Sequence, residues 1–128
     1  MAKKVLVVDD EHLFRGLLCE YMSGNGYQVF EAQDGVEAVE VFEKERPDIV
    51  FLDIRMPRKD GMEALKDIKQ IEPEALVVVI TASPKEGVRE QAMSKGVFDY
   101  VSKPLTLDGL EAILERINNA DGSRKLPG

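Results

Sequence analysis

Four things are scarce in this chain, and each scarcity excludes something. There is one cysteine, Cys19, so no internal disulfide can form, and a reducing, cytoplasmic setting fits. No apolar run approaches the ~20 residues that cross a bilayer. The lysines at the N-terminus precede an apolar run of only Val5–Val8, too short for the core of an export signal. Positive charge is in deficit, with 17 basic against 24 acidic residues and a net charge of −7. Such a domain is not built to neutralise a phosphate backbone, so direct nucleic-acid binding is not expected. No Walker-type or other glycine-rich phosphate loop occurs, and "QDGVEAVE" holds a single glycine. No nucleotide site is therefore expected.

What is present is an alternation. The 128 residues suit one domain. Strands are expected at Lys4–Asp9, Gln28–Ala32, Ile49–Asp53, Leu76–Thr81 and Phe98–Ser102. The runs "VLVV", "IVFL" and "LVVVI" are continuously apolar and branched, as in strands covered on both faces. "QVFEA" and "FDYVS" mix in polar residues and suit sheet edges. Helical spacing fills the gaps. Leu13, Phe14, Leu17, Leu18, Tyr21 and Met22 make one stripe; Val36, Val39 and Phe42 a second; Met62, Leu65 and Ile68 a third. A fourth helix, roughly Lys85–Lys95, has only Val88, Ala92 and Met93 as anchors. A fifth, about Leu107–Asn118, buries Leu110, Ile113, Leu114 and Ile117. Strand–helix alternation implies an α/β fold with a parallel sheet, right-handed crossovers and helices on both faces. Residues 120–128 lack periodicity and read as a flexible tail or linker stump after a domain of residues 1–119.

Polar groups gather where the apolar runs end. Asp9, Asp10 and Glu11 follow the first strand, Asp53 and Thr81 end the third and fourth, and Lys103 follows the fifth. In open parallel sheets, ligands bind beyond the carboxyl ends of the strands. Clustered carboxylates repel unless a cation intervenes, and Mg²⁺ takes one or two carboxylates together with water and phosphate oxygens. One of the acids can then act as a nucleophile toward phosphorus, with the metal, a lysine and a threonine hydroxyl meeting the phosphoryl oxygens.

"VLVVDDE", "IVFLDIRMPRKDGMEAL", "VVVITAS" and "GVFDYVSKP", in this order, resemble the signature segments of bacterial response-regulator receiver domains. These are the phosphoacceptor modules of two-component signalling, similar to the chemotaxis and sporulation single-domain regulators. The resemblance covers about residues 3–119. It implies a doubly wound, flavodoxin-like, five-stranded parallel sheet in the order 2-1-3-4-5. It implies that Asp53 is phosphorylated by a sensor histidine kinase or a histidine phosphotransfer protein. Mg²⁺ would be bound by Asp10 and Asp53, by Asp9 through water, and by the backbone carbonyl of Arg55. Lys103 would pair with the phosphoryl group, Thr81 would move toward it, and Tyr100 would swing inward. Lys103–Pro104 would be cis, and Pro57 and Gly61 would shape the loop after Asp53. Arg55 and Ser83 would border the phosphoryl group and tune its hydrolysis. The face of the fourth helix, fifth strand and fifth helix would switch toward an output domain or protein, or toward a second copy in a homodimer. Val97 and Leu105 depart from the alanine and phenylalanine common at those positions.

Two rival readings differ in class. An aspartyl-phosphate phosphatase would carry a second aspartate two residues after the nucleophile, and Arg55 stands there instead. An unphosphorylated interaction domain would not need the acids, threonine and lysine together. On this reading the chain is a signalling acceptor that catalyses only its own phosphorylation and slow dephosphorylation. Four residues invite other chemistry but have simpler readings. His12 is a solvated residue of an early helical turn, Cys19 a small core residue, and Met56 and Met62 packing residues.

Overall fold

The computed structural model describes residues 3–55, 60–82 and 87–125, with side chains to residue 119. The elements alternate as β1 (Lys4–Val8), α1 (His12–Gly24), β2 (Gln28–Ala32), α2 (Gly35–Glu45), β3 (Ile49–Leu52), α3 (Gly61–Ile71), β4 (Leu76–Thr81), α4 (Val88–Ser94), β5 (Asp99–Ser102) and α5 (Leu107–Lys125). All pairings are parallel and the strand order is β2-β1-β3-β4-β5. The two strands with mixed polarity lie at the edges, where one side lacks a neighbour.

Period-two alternation sorts the continuously apolar strands onto two faces. Leu6, Val8, Val50, Leu52, Val77 and Val79 pack with residues of α2, α3 and α4. Val5, Val7, Ile49, Phe51, Val78 and Ile80 pack with residues of α1 and α5. Each face is thus covered, as a central parallel strand requires. Among the described residues three helices begin with side-chain caps, including α5, where Thr106 Oγ1 accepts from the Gly109 N–H at 3.0 Å. Asp34 accepts from the Glu37 N–H at 2.9 Å at the start of α2, and Glu37 in turn accepts from the N–H of Gln33, the residue before the cap, at 2.8 Å. Asp60 accepts from the Glu63 N–H at 2.9 Å at the start of α3.

Several expected faces shift. On α1, Leu18 and Met22 are buried, but Leu13 is 77% and Leu17 61% exposed. A six-residue stripe is wider than the strip of helix that a sheet can cover, so one flank stays outside. On α2, Val36 and Val39 are only half-buried, and the inner face is formed by Ala38 and Phe42. On α4, Ala92 is buried while Met93 faces solvent, and the helix spans 7 residues. The expected start at Lys85 lies outside the described residues. The backbone of α5 continues past Asn118 to Lys125. The apolar pattern ends at Ile117, yet no proline interrupts the chain before Pro127, and adding residues to a formed helix is easy. Among the described residues no helix is long and apolar enough to cross a membrane.

Candidate functional site

The pairing of β1 with β3 runs Val5↔Ile49 to Val8↔Leu52. The next residue on each strand is an aspartate. Asp9 N–H donates to Ala32 O at 3.1 Å, and Asp53 N–H to Val8 O at 3.0 Å, so both are tied to the sheet just past its regular end. Lys103 N–H donates to Thr81 O at 2.8 Å, which ties the residue after β5 to the end of β4. The Lys103–Pro104 bond is cis, as the family resemblance implied.

Side chains converge there. Asp9, Asp10 and Asp53 each offer a carboxylate oxygen, all within 4.8 Å of one another. Asp9 and Asp53 are buried and Asp10 is exposed. Lys103 Nζ lies 2.8 Å from Asp9 Oδ2, 3.4 Å from Asp53 Oδ2 and 3.6 Å from Glu11 Oε1. Arg55 N–H donates to Asp53 Oδ1 at 2.9 Å, and Glu11 N–H to Asp9 Oδ1 at 2.8 Å. The Arg55 side chain is exposed and, with Asp10, Ile54 and Asp60, lines an open cleft of about 350 Å³.

These contacts set the ionisation. Burial raises the Asp53 carboxyl above its ordinary range, and the Asp9 charge adds to this, against the Arg55 N–H and Lys103. Burial works to lower the Lys103 ammonium, but the Asp9 hydrogen bond and the charges of Asp9, Asp53 and Glu11 win, and it is raised. One ammonium thus faces several carboxylates. The excess negative charge, borne by hard oxygen donors, fits a small divalent cation such as Mg²⁺.

Two hydroxyls remain. Thr81 Oγ1 and Tyr100 Oη are buried, and neither has a hydrogen-bond partner. An orphaned buried donor is costly, so Thr81 at the end of β4 is suited to an incoming oxygen. The Tyr100 ring is already inside, in the cluster that contains Ala92 and Val97. Its phenol is raised by burial, with Glu90 adding to the effect. Ser83, Pro57 and Met56 lie outside the described residues.

Gly61, expected to shape the loop after Asp53, comes close to it. Its N–H donates to Ile54 O at 3.2 Å, and a β-carbon on it would fall 2.2 Å from Ile54 Cα and 2.7 Å from Asp53 O. Leu105 is half-buried and lines an apolar groove of about 300 Å³ between α1 and α5, together with Phe14, Leu17, Tyr21 and Leu107. His12 is exposed and shares a hydrogen bond of 2.9 Å with Arg15 Nη2. Burial pushes the Cys19 thiol up to about 12, far from a nucleophile's range.

Two residues meet the site that the sequence did not mark as part of it, Arg15 and Phe14, the latter expected only as a member of an apolar stripe. Arg15 Nη1 donates to Asp9 O at 2.6 Å and its Nε to Glu31 Oε1 at 2.9 Å, bracing the β1–α1 turn. Phe14 lies beneath Lys103, with its ring centroid 4.5 Å from Nζ. Both sit one helical turn beyond the acids, and that spacing is the only signal the sequence offered.

Residues 5–115 match the response regulator receiver domain family. The chain is 38% identical over 120 residues to the chemotaxis protein CheY of Bacillus subtilis, covering 92% of this chain and all of that one. It is 34% identical over 116 residues to sporulation initiation phosphotransferase F of the same organism, covering 91% and 94%. It spans about half, 55%, of the response regulator MprA of Mycobacterium, at 37% identity over 95% of this chain. Among solved structures it is similar to the CheX–CheY–BeF3–Mg complex of Borrelia burgdorferi, with a TM-score of 0.84, 30% identity, and 90% and 88% coverage.

Proposed function

The chain belongs to the response-regulator receiver family, the phosphoacceptor domains of two-component signalling, and from that premise we propose that Asp53 is the residue that takes the phosphoryl group. The observation that carries this is the setting of its carboxylate. It is buried at a strand end, with Oδ1 held by the Arg55 N–H and Oδ2 facing Lys103.

The donor is a phosphohistidine on a sensor histidine kinase or a histidine phosphotransfer protein. An Asp53 oxygen attacks phosphorus, the P–N bond breaks, and the imidazole leaves and takes up a proton. The product is an acyl phosphate. Asp10 and Asp53 would hold Mg²⁺, with Asp9 through water and the Arg55 carbonyl, and the ion supplies charge neutralisation for the phosphoryl oxygens. Lys103 turns toward the new oxygens, and the unpartnered Thr81 hydroxyl donates to one of them. Exposed Leu13 and Leu17, beside the α1–α5 groove, suit a helix carrying the donor histidine.

Phosphorylation replaces the single charge of the carboxylate by a bulkier phosphoryl group that carries ~1.5–2 negative charges on its oxygens. The readout is a change in α4, β5 and α5, to which an output domain, another protein or a second copy of the chain responds. α4 suits this because it is short, has no side-chain cap at Gly87, and buries only Ala92. Arg55 and Ser83 are proposed to tune hydrolysis. The receiver unit is proposed as residues 1–119 in a cytoplasmic setting, with the remaining residues a tail or linker. Rapid turnover on phosphate esters is not part of this function, because Arg55 stands where such a phosphatase needs an acid.

The test is mass spectrometry after incubation with acetyl phosphate and Mg²⁺. One phosphoryl group is expected on the chain and none on Asp53→Asn. No gain on the wild type, or an equal gain on the variant, refutes the assignment. Many turnovers on an aryl phosphate would favour a phosphatase instead.

A further inference from the structure

The Lys103 ammonium has two kinds of partner. Three are carboxylates, those of Asp9, Asp53 and Glu11. The fourth is the ring of Phe14, on the first turn of α1, with its centroid 4.5 Å away. Two other cation–ring contacts occur among the described residues, at 5.8 Å and 5.4 Å, and both are longer. The Lys103 side chain is only 10% exposed, so the contact is largely shielded from water. A pocket that shares Asp9, Asp53 and Phe14 with these contacts, and is otherwise lined by residues such as Leu18, Phe51 and Ile80, has no room for a water molecule. A cation over an aromatic face gains most in such a dry setting.

The carboxylate partners change during the reaction. Asp53 would become an acyl phosphate, and Asp9, Asp10 and Asp53 are the residues that would hold a cation. The face of Phe14 does not change, because it neither titrates nor transfers a group. It also leaves the three N–H donors of the ammonium free. We propose that Phe14 is a positioning residue, the fixed surface on which the Lys103 ammonium turns from Asp9 toward the phosphoryl oxygens as Asp53 is phosphorylated. This rests on the reading of Asp53 as acceptor, and it gives an apolar residue of α1 a part in setting the rate.

The test replaces Phe14, in the full chain, by monofluoro-, difluoro- and trifluorophenylalanine. Fluorine drains the ring face of negative charge while nearly keeping its shape. Two quantities are read. One is the rate of phosphoryl uptake from acetyl phosphate at saturating Mg²⁺. The other is the NMR signal of the Lys103 ε-methylene in metal-free protein, which a ring beneath it shifts upfield. The rate is expected to fall stepwise with each fluorine, by roughly two- to tenfold across the series. The Lys103 signal is expected to move downfield in the same order, and Phe14→Leu to match the trifluoro variant in both. Rates that stay at the wild-type value overturn the proposal, whether or not the signal moves, since mere packing is indifferent to ring charge. If the wild type takes no phosphoryl group, the acceptor reading fails instead, and the metal-free signal still decides whether the ring holds the ammonium.

Discussion

Asp9 and Asp53 are register neighbours: the parallel pairing of β1 with β3 closes on Val8 and Leu52, and the following residue on each strand is an aspartate. Two carboxylates are thereby fixed side by side in a buried place, and among the described residues Lys103 is the side-chain cation that pairs with both. Stability is given up here for chemistry.

Asp53→Asn should therefore stabilise the metal-free protein at pH 7, by about 1 kcal/mol or roughly 4 °C in Tm. The folded-state pKa of Asp53 is raised, so the wild type is penalised once the folded-state carboxyl is ionised. As pH falls through that raised value the carboxyl takes up a proton and the penalty lapses. The advantage of the variant should then shrink on the acid side and persist above it. Thermal melts of both proteins across pH check this; an advantage that grew toward acid would contradict it.

Mg²⁺ should stabilise the fold by binding the three-aspartate cluster of the folded state alone. At a hundredfold excess over Kd the gain is about 2.7 kcal/mol. Asp10→Asn should remove most of it with little effect on the metal-free Tm, because Asp10 is exposed. Melting curves over a Mg²⁺ series read both effects, and a wild-type Tm indifferent to the ion would be incompatible with a site here.

Gly61→Ala should cost about 2–3 kcal/mol, as overpacking does. The added β-carbon would meet backbone, at 2.2 Å from Ile54 Cα and 2.7 Å from Asp53 O, and backbone cannot rotate away. Because the atoms displaced belong to Asp53 and its neighbour, phosphoryl uptake should fall as well. Denaturant unfolding and acetyl phosphate uptake are the measurements, and a variant normal in both would show that the loop yields freely.

Arg55→Ala should shorten the life of the acyl phosphate several-fold. Arg55 is exposed at the cleft it shares with Asp10 and Asp60, where a long cation can shield the phosphoryl group from water. The check is the decay of phosphorylated protein after donor removal. An unchanged half-life would assign the shielding elsewhere.

Much of this protein was legible in its linear pattern. Five alternating strands and helices, the two edge strands, and a set of acids, a threonine and a lysine at strand ends followed from apolar periodicity and residue chemistry, because both are local properties. Periodicity could not show which flank of a wide apolar stripe would be covered, so Leu13 and Leu17 read as core although they lie outside. Nor could it carry α5 past Ile117, where the apolar pattern stops but the backbone does not. The family resemblance anticipated that β1 and β3 are neighbours, but only the tertiary structure gave the residue-by-residue register that sets Asp9 beside Asp53, and the seat of Lys103 on the ring of Phe14. The physical reason is that side-chain type and spacing act along the chain, whereas strand register and the seating of a helix on a sheet are settled by contacts between distant segments.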